Sequence, residues 1–157
     1  MITQPSFPRE GTVCYPIDQV RQRLLLGMKK RGAGVGRYNG FGGKIERGET
    51  PAEAAARELW EESGLMVHAD SLLSMGHVHF PHVEQRMHVF VATAWDGLLI
   101  ESDEMCPQWF SLTALPYEQM WPTDRDWLPH VLAGRQIAVV VHLHTDGRRT
   151  SVVQLVE

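Results

Sequence analysis

The sequence predicts an α/β/α sandwich, a mixed sheet held between helices, and three features of the 157-residue chain carry that prediction. Short β-type runs recur on both sides of one strongly capped helix. A second helical pattern lies in the C-terminal third, and the last segment reads as a hairpin turning at Asp146-Gly147. No repeat, long linker or low-complexity stretch interrupts these elements, so a single domain over residues 1–157 is expected.

In chain order, Thr12–Ile17 and Gln22–Met28 are aliphatic and β-branched runs that predict two strands around a turn near Asp18-Gln19. Gly32, Gly34 and Gly36 then predict a flexible loop leading into Tyr38-Asn39-Gly40-Phe41-Gly42-Gly43. The next helix is the clearest element. Thr50 suits its N-cap, Pro51 its first turn, Glu53 completes a capping box, and Gly64 closes it. Ala52, Ala55, Ala56, Leu59 and Ser63 give that helix a small-residue face able to approach a sheet closely. Strands are predicted near residues 72–80 and 87–94, and a helix from Arg125 to Leu132 with Asp124 as its cap. Residues 137–144 and 150–156 form the predicted terminal hairpin. Met66, Met75, Met87 and Met105 are read as packing residues, and Trp95, Trp109 and Trp127 as core or core margin.

Composition narrows the function classes. Hydrophobic content of 43% and charged content of 22% are those of a soluble globular protein. Residues 1–10 lack the apolar run of a secretory signal, and no stretch is long enough to cross a bilayer, so a cytoplasmic protein without a membrane partner is expected. Cys14 and Cys106 have no metal-like spacing and read as reduced thiols. The net charge of −4 argues against a nucleic-acid polymer as partner. Yet Lys29, Lys30, Arg31, Arg37, Lys44 and Arg47 crowd into one window, a pattern suited to a small polyanion. His77, His79, His82 and His88 invite a zinc reading, but their spacing specifies no convergent ligand set, and they are read as strand and loop histidines.

The chemistry-bearing stretch is Gly43–Leu65, which reduces to Gly-x5-Glu-x7-Arg-Glu-U-x-Glu-Glu-x-Gly-U, with U aliphatic. Chance agreement at nine fixed positions is on the order of 10⁻⁹ per starting point, so composition does not explain it. On a helix Glu58 and Glu62 lie about 6 Å apart along the axis and about 40° apart around it, with Glu61 on the neighbouring rim. Carboxylates this close need cations nearby. Arg57 can supply one, toward Glu61 or Glu53. The remainder suits a hard divalent ion, and oxygen-only ligands favour Mg²⁺ or Mn²⁺ over zinc.

This stretch resembles the Nudix box at every position, and the sequence is similar to the MutT-like branch of the Nudix hydrolase family over most of residues 12–134. The resemblance implies a Nudix fold and Mg²⁺-dependent cleavage of a nucleoside triphosphate by water. Glu58, Glu61, Glu62 and Arg57 would form the catalytic set, and Glu58, Glu62, Glu104 and the Gly42–Gly43 backbone the metal site. It further implies an oxidised purine nucleoside triphosphate such as 8-oxo-dGTP, cleaved to monophosphate and pyrophosphate by a monomer. Asn39 and Asp124 would read the base, Trp121 would stack on it, and Thr12, Lys29 and Phe80 would line the pocket. Two departures bear on the substrate. Thr123 stands where the branch carries an aspartate beside Asp124, and Ala33 replaces a phenylalanine. Another nucleotide, such as a normal or methylated dNTP or a nucleotide sugar, is the alternative substrate. A non-catalytic nucleotide-binding domain is a remoter one, since all the box carboxylates are present.

Overall fold

The computed structural model describes residues 9–157. The stretch read above as lacking a secretory signal lies, at residues 1–8, outside the described residues. In chain order the strands and α-helices are β1 Arg9–Asp18, β2 Arg23–Lys29, β3 Tyr38–Asn39, α1 Pro51–Ser63, β4 Leu73–Phe80, β5 Gln85–Ala92, β6 Met105–Ser111, α2 Asp124–Leu132, β7 Gln136–Leu143 and β8 Arg149–Val156.

The strands build one mixed sheet in the order β3-β2-β1-β5-β4-β7-β8, with β6 also pairing β2. The β1–β5 and β4–β7 ladders are parallel, and the rest are antiparallel. Side chains alternate across the sheet, so β1 feeds two cores. Val13, Tyr15 and Ile17 point to the side where Trp127, Leu128 and Val131 of α2 pack. Cys14 points to the other, with Phe41, Phe90 and the α1 residues Ala55 and Leu59. The helices therefore cover opposite faces, as the α/β/α reading requires.

Helix α1 starts and stops where its residues dictate. The Thr50 hydroxyl accepts from Glu53 N–H, and the Glu53 carboxylate accepts from Thr50 N–H, each at 3.2 Å. Gly64 closes the helix in the left-handed region at φ 81°. Its buried stripe is Ala54, Ala55, Leu59, Glu62 and Ser63, while Ala52 and Ala56 sit at its margin.

The structure adds one strand and corrects two expectations. Pro107 and an irregular apolar pattern hide β6 in the sequence, yet in the fold it pairs with every residue of β2. Asp124 is the first residue of α2, preceded by Thr123, whose side chain makes no capping bond. Burial of Asp124 within the fold outcompetes a surface capping role. Met66 is 51% exposed, because its backbone pairs with Asp96 and turns the side chain outward. Arg57 makes the expected contact with Glu61 and adds a closer one to Glu49.

Candidate active site

The turn between β3 and α1 is threaded against β1 so tightly that only glycine fits. Thr12 N–H donates to the Gly43 carbonyl at 2.8 Å, and Cys14 N–H and O both bond Phe41. A Cβ on Gly42 would collide with the Thr12 carbonyl oxygen. A Cβ on Gly43 would lie 2.7 Å from the Glu58 carboxyl, so the missing side chain leaves the space this carboxyl occupies.

Helix α1 delivers its carboxylates to that turn. Glu62 is 5% exposed, and its Oε1 accepts from Gly42 N–H at 2.8 Å. Burial pushes its pKa up to about 8; the Gly42 bond opposes that rise, while the charge of Glu58 adds to it. Glu58 is also raised, chiefly by burial, against the opposing pull of Arg57. Its Oε1 accepts from Arg57 Nη1 at 3.0 Å. Each glutamate thus commits one oxygen to the scaffold, and the other makes no hydrogen bond among the described residues.

Arg57 is the organising cation. It grips Glu49 with a two-pronged contact, Nε to Oε2 at 2.7 Å and Nη2 to Oε1 at 2.9 Å. It also reaches Glu58, the Lys44 carbonyl at 3.1 Å, and Glu61 at 3.4 Å. The expected contact with Glu61 exists but is the weaker one, and Glu53 is spent on the capping box. A planar guanidinium fits Glu49 bidentately, and that geometry decides the partner. Glu61 remains on the exposed rim.

The Glu58 and Glu62 carboxylates meet at the Gly42–Gly43 turn, whose backbone carbonyls are oxygen donors too. That set fits a hard divalent ion. Among the described residues no three acidic, imidazole or thiol side chains close into a cage. Glu104, the residue before β6, pairs its carboxylate with Arg31 at 2.7 Å. Its charge still contributes to raising the pKa of Glu62.

A cavity of about 770 Å³ lies beside this cluster. Gly42, Gly43, Lys29, Lys44 and Glu62 line it together with Asn39, Trp121, Thr123 and Asp124. Thr12 and Phe80 lie on its walls, and Ala33 also lines it. Among the described residues the buried Thr12 hydroxyl has no hydrogen-bond partner. Asp124 is 7% exposed, and burial raises its carboxyl pKa to about 7 against the lowering effect of the Trp121 backbone and Arg37. Asn39 Nδ2 donates to the Arg37 carbonyl at 3.0 Å, which fixes the amide while leaving Oδ1 available.

Residues 8–131 match the family model of the NUDIX domain. The chain belongs to the Nudix family. Over 115 residues this Nudix hydrolase is 50% identical to the oxidized purine nucleoside triphosphate hydrolase of Mus musculus, covering 71% of this chain and 72% of that protein. The protein of the same description from Danio rerio is 49% identical over 114 residues, covering 70% and 72%. Among solved structures, the MutT protein of Bacillus halodurans superposes with a TM-score of 0.75 at 25% identity, covering 92% of this chain and 97% of that one. A NUDIX hydrolase from Nitrosomonas europaea superposes at 0.71 with 21% identity, covering 83% and 73%, a likeness of fold. Nudix hydrolases generally use divalent metal ions, in keeping with the oxygen donors gathered at Glu58, Glu62 and Gly43.

Sequence reasoning missed Arg149. It reaches the cavity from β8, at the far edge of the sheet in chain order, and only the β7–β8 hairpin's placement beside α2 reveals it.

Proposed function

We propose that this single-domain, monomeric, cytoplasmic Nudix hydrolase cleaves oxidised purine nucleoside triphosphates, 8-oxo-dGTP among them, to the monophosphate and pyrophosphate with Mg²⁺. The supporting observation is one cavity lined both by Glu62 and the Gly42–Gly43 turn and by Trp121, Asn39 and Asp124. The relatives described as oxidized purine nucleoside triphosphate hydrolases support the same substrate class.

In this reading Glu58, Glu62 and the Gly43 carbonyl hold Mg²⁺, with Glu104, the residue before β6, adding to the acidic field. The bound ion would neutralise phosphate oxygens and lower the cost of charge built up during phosphoryl-type transfer. Arg57 fixes the Glu58 carboxyl against Glu49, and the Gly42 N–H fixes that of Glu62. The carboxylates then need no reorganisation when substrate arrives. One of the glutamates, with Glu61 at the rim, orients the attacking water or accepts its proton. Lys29 faces the phosphate chain. Trp121 stacks on the purine, a contact worth roughly 1–3 kcal/mol per base. Asn39, Asp124 and the unpartnered Thr12 hydroxyl meet base and sugar, and Phe80 closes the wall.

Product analysis tests this. With 8-oxo-dGTP and Mg²⁺ the expected products are 8-oxo-dGMP and pyrophosphate in equal amounts. Release of orthophosphate and the diphosphate would contradict the proposed bond cleavage.

A further inference from the structure

The cavity has a wall that the family match, ending at residue 131, does not reach. Strand β8 pairs with β7 from Arg149 opposite Leu143 through Val156 opposite Gln136. It is tied to α2 by Ser151 Oγ, which donates to Asp126 Oδ2 at 2.8 Å. The Arg149 side chain lines the cavity beside Trp121.

Two guanidinium groups contact Trp121. Arg37 Cζ lies 4.8 Å from the ring centroid and Arg149 Cζ 4.9 Å. Their situations differ. Arg37 donates from Nη1 to the Met120 carbonyl at 2.7 Å and does not line the cavity, so it buttresses the ring. Arg149 does line the cavity, and among the described residues it has the Trp121 ring but no hydrogen-bond or ion-pair partner. Gly34, whose missing Cβ would stand 2.9 Å from Trp121 Cζ2, lets the loop pack against the ring. The tryptophan is therefore held in place while the Arg149 head stays uncommitted.

An uncommitted guanidinium carries five N–H donors and no acceptor. Other polar groups lining the cavity are richer in acceptors: the Asp124 carboxyl, and Asn39 with one N–H already spent. We propose that Arg149 is a specificity-determining residue: its guanidinium donates hydrogen bonds to a carbonyl oxygen on the edge of the purine stacked on Trp121. The base takes up the ring face, and Arg149 shifts from the ring to the base edge. A purine carrying O6, O8 or both satisfies the donors, whereas unmodified adenine, with an amino group at C6 and no carbonyl, leaves them unpaired. This rests on the purine-pocket reading above.

Binding of nucleoside monophosphates by calorimetry without metal tests it independently of turnover, using dAMP, dGMP (O6 alone), 8-oxo-dAMP (O8 alone) and 8-oxo-dGMP (both). Arg149→Met keeps an unbranched stem for the ring and deletes the donors; Arg149→Lys keeps the charge without the fork; melting curves confirm that both fold. In Arg149→Met, the preference for 8-oxo-dGMP over dAMP should fall by about 5- to 100-fold, the scale of a good base-edge contact. A matching fall for dGMP assigns O6 as the acceptor, and one for 8-oxo-dAMP assigns O8. Arg149→Lys, which keeps the charge and three N–H donors without the fork, should restore part of that preference. The proposal is overturned if all four ligands weaken together or if none changes. Should wild-type protein fail to hydrolyse 8-oxo-dGTP while this binding pattern holds, the proposed function falls and the role of Arg149 stands.

Discussion

Glu62 Oε1 accepts the Gly42 N–H at 2.8 Å, so a buried carboxylate of helix α1 holds the glycine turn against which Glu58 also lies. One hydrogen bond couples the helix to the loop, and two glutamates share the neighbourhood of a single peptide. Glu62→Gln can keep an acceptor for Gly42 while removing the charge. The expected outcome is a folded protein, with a melting temperature at or above wild type, whose pyrophosphate release falls at least about 100-fold, the scale of losing one preorganised electrostatic group. Near wild-type turnover in this variant would remove Glu62 from the mechanism.

The two glycines of the turn should respond differently to alanine. At Gly43 the added methyl meets the end of a flexible side chain, the Glu58 carboxyl, which can swing aside. Gly43→Ala should therefore fold with a modest loss of stability and lose turnover about 10-fold or more through misplaced Glu58. At Gly42 the methyl meets backbone, the Thr12 carbonyl, which cannot move without β1. Gly42→Ala should lose about 1–3 kcal/mol or more of stability. Paired melting and rate measurements separate the two effects.

The Asp124 carboxyl, raised by burial to about 7, sets a pH dependence. An unfolded aspartate releases its proton near pH 4, whereas folded Asp124 holds it to about 7. Between these values the folded state binds more protons, so this group makes stability fall as pH rises through that window, and the penalty is constant above it. Asp124→Asn removes the penalty. Its melting temperature relative to wild type should rise between pH 4 and pH 7.5, while binding of oxidised purine nucleotides weakens. A difference independent of pH would place the Asp124 carboxyl near its ordinary value.

Much of this architecture is written locally. Thr50, Pro51, Glu53 and Gly64 specify the ends of α1 through their own backbone chemistry, and Asp146-Gly147 specifies the terminal hairpin. Gly42 and Gly43 announce a close approach, although Thr12 as the strand they approach is settled only by tertiary pairing. What the sequence hides is set by distant neighbours. Strand β6 forms because β2 supplies a full ladder that overrides Pro107 and a weak pattern. Arg57 selects Glu49 over Glu61 because the loop before α1 folds back within bidentate reach. Asp124 resembles a cap in sequence, yet the pocket buries it. Arg149 carries no motif, and its place beside Trp121 arises from a hairpin packed on α2.

Thr123, 4% exposed and lining the cavity next to Asp124, should control the breadth of base recognition. A hydroxyl cannot share a proton with Asp124 as a second carboxyl would. Thr123→Asp should raise turnover of oxidised adenine nucleotides relative to 8-oxo-dGTP by about fivefold or more, at a cost of about 1–3 kcal/mol for the added buried polar group. An unchanged substrate ratio across a panel of oxidised purine triphosphates would separate Thr123 from base selection.

The central claim joins a carboxylate cluster to a pocket that reads an oxidised base. Its most direct test is kcat/KM for 8-oxo-dGTP against dGTP with Mg²⁺, in wild-type protein and in Glu58→Gln. The expected result is a preference for 8-oxo-dGTP of about tenfold or more, as hydrogen-bonding sites discriminate between such analogues, with both activities largely abolished in Glu58→Gln. Equal rates for the two nucleotides, or undiminished turnover in Glu58→Gln, would contradict it.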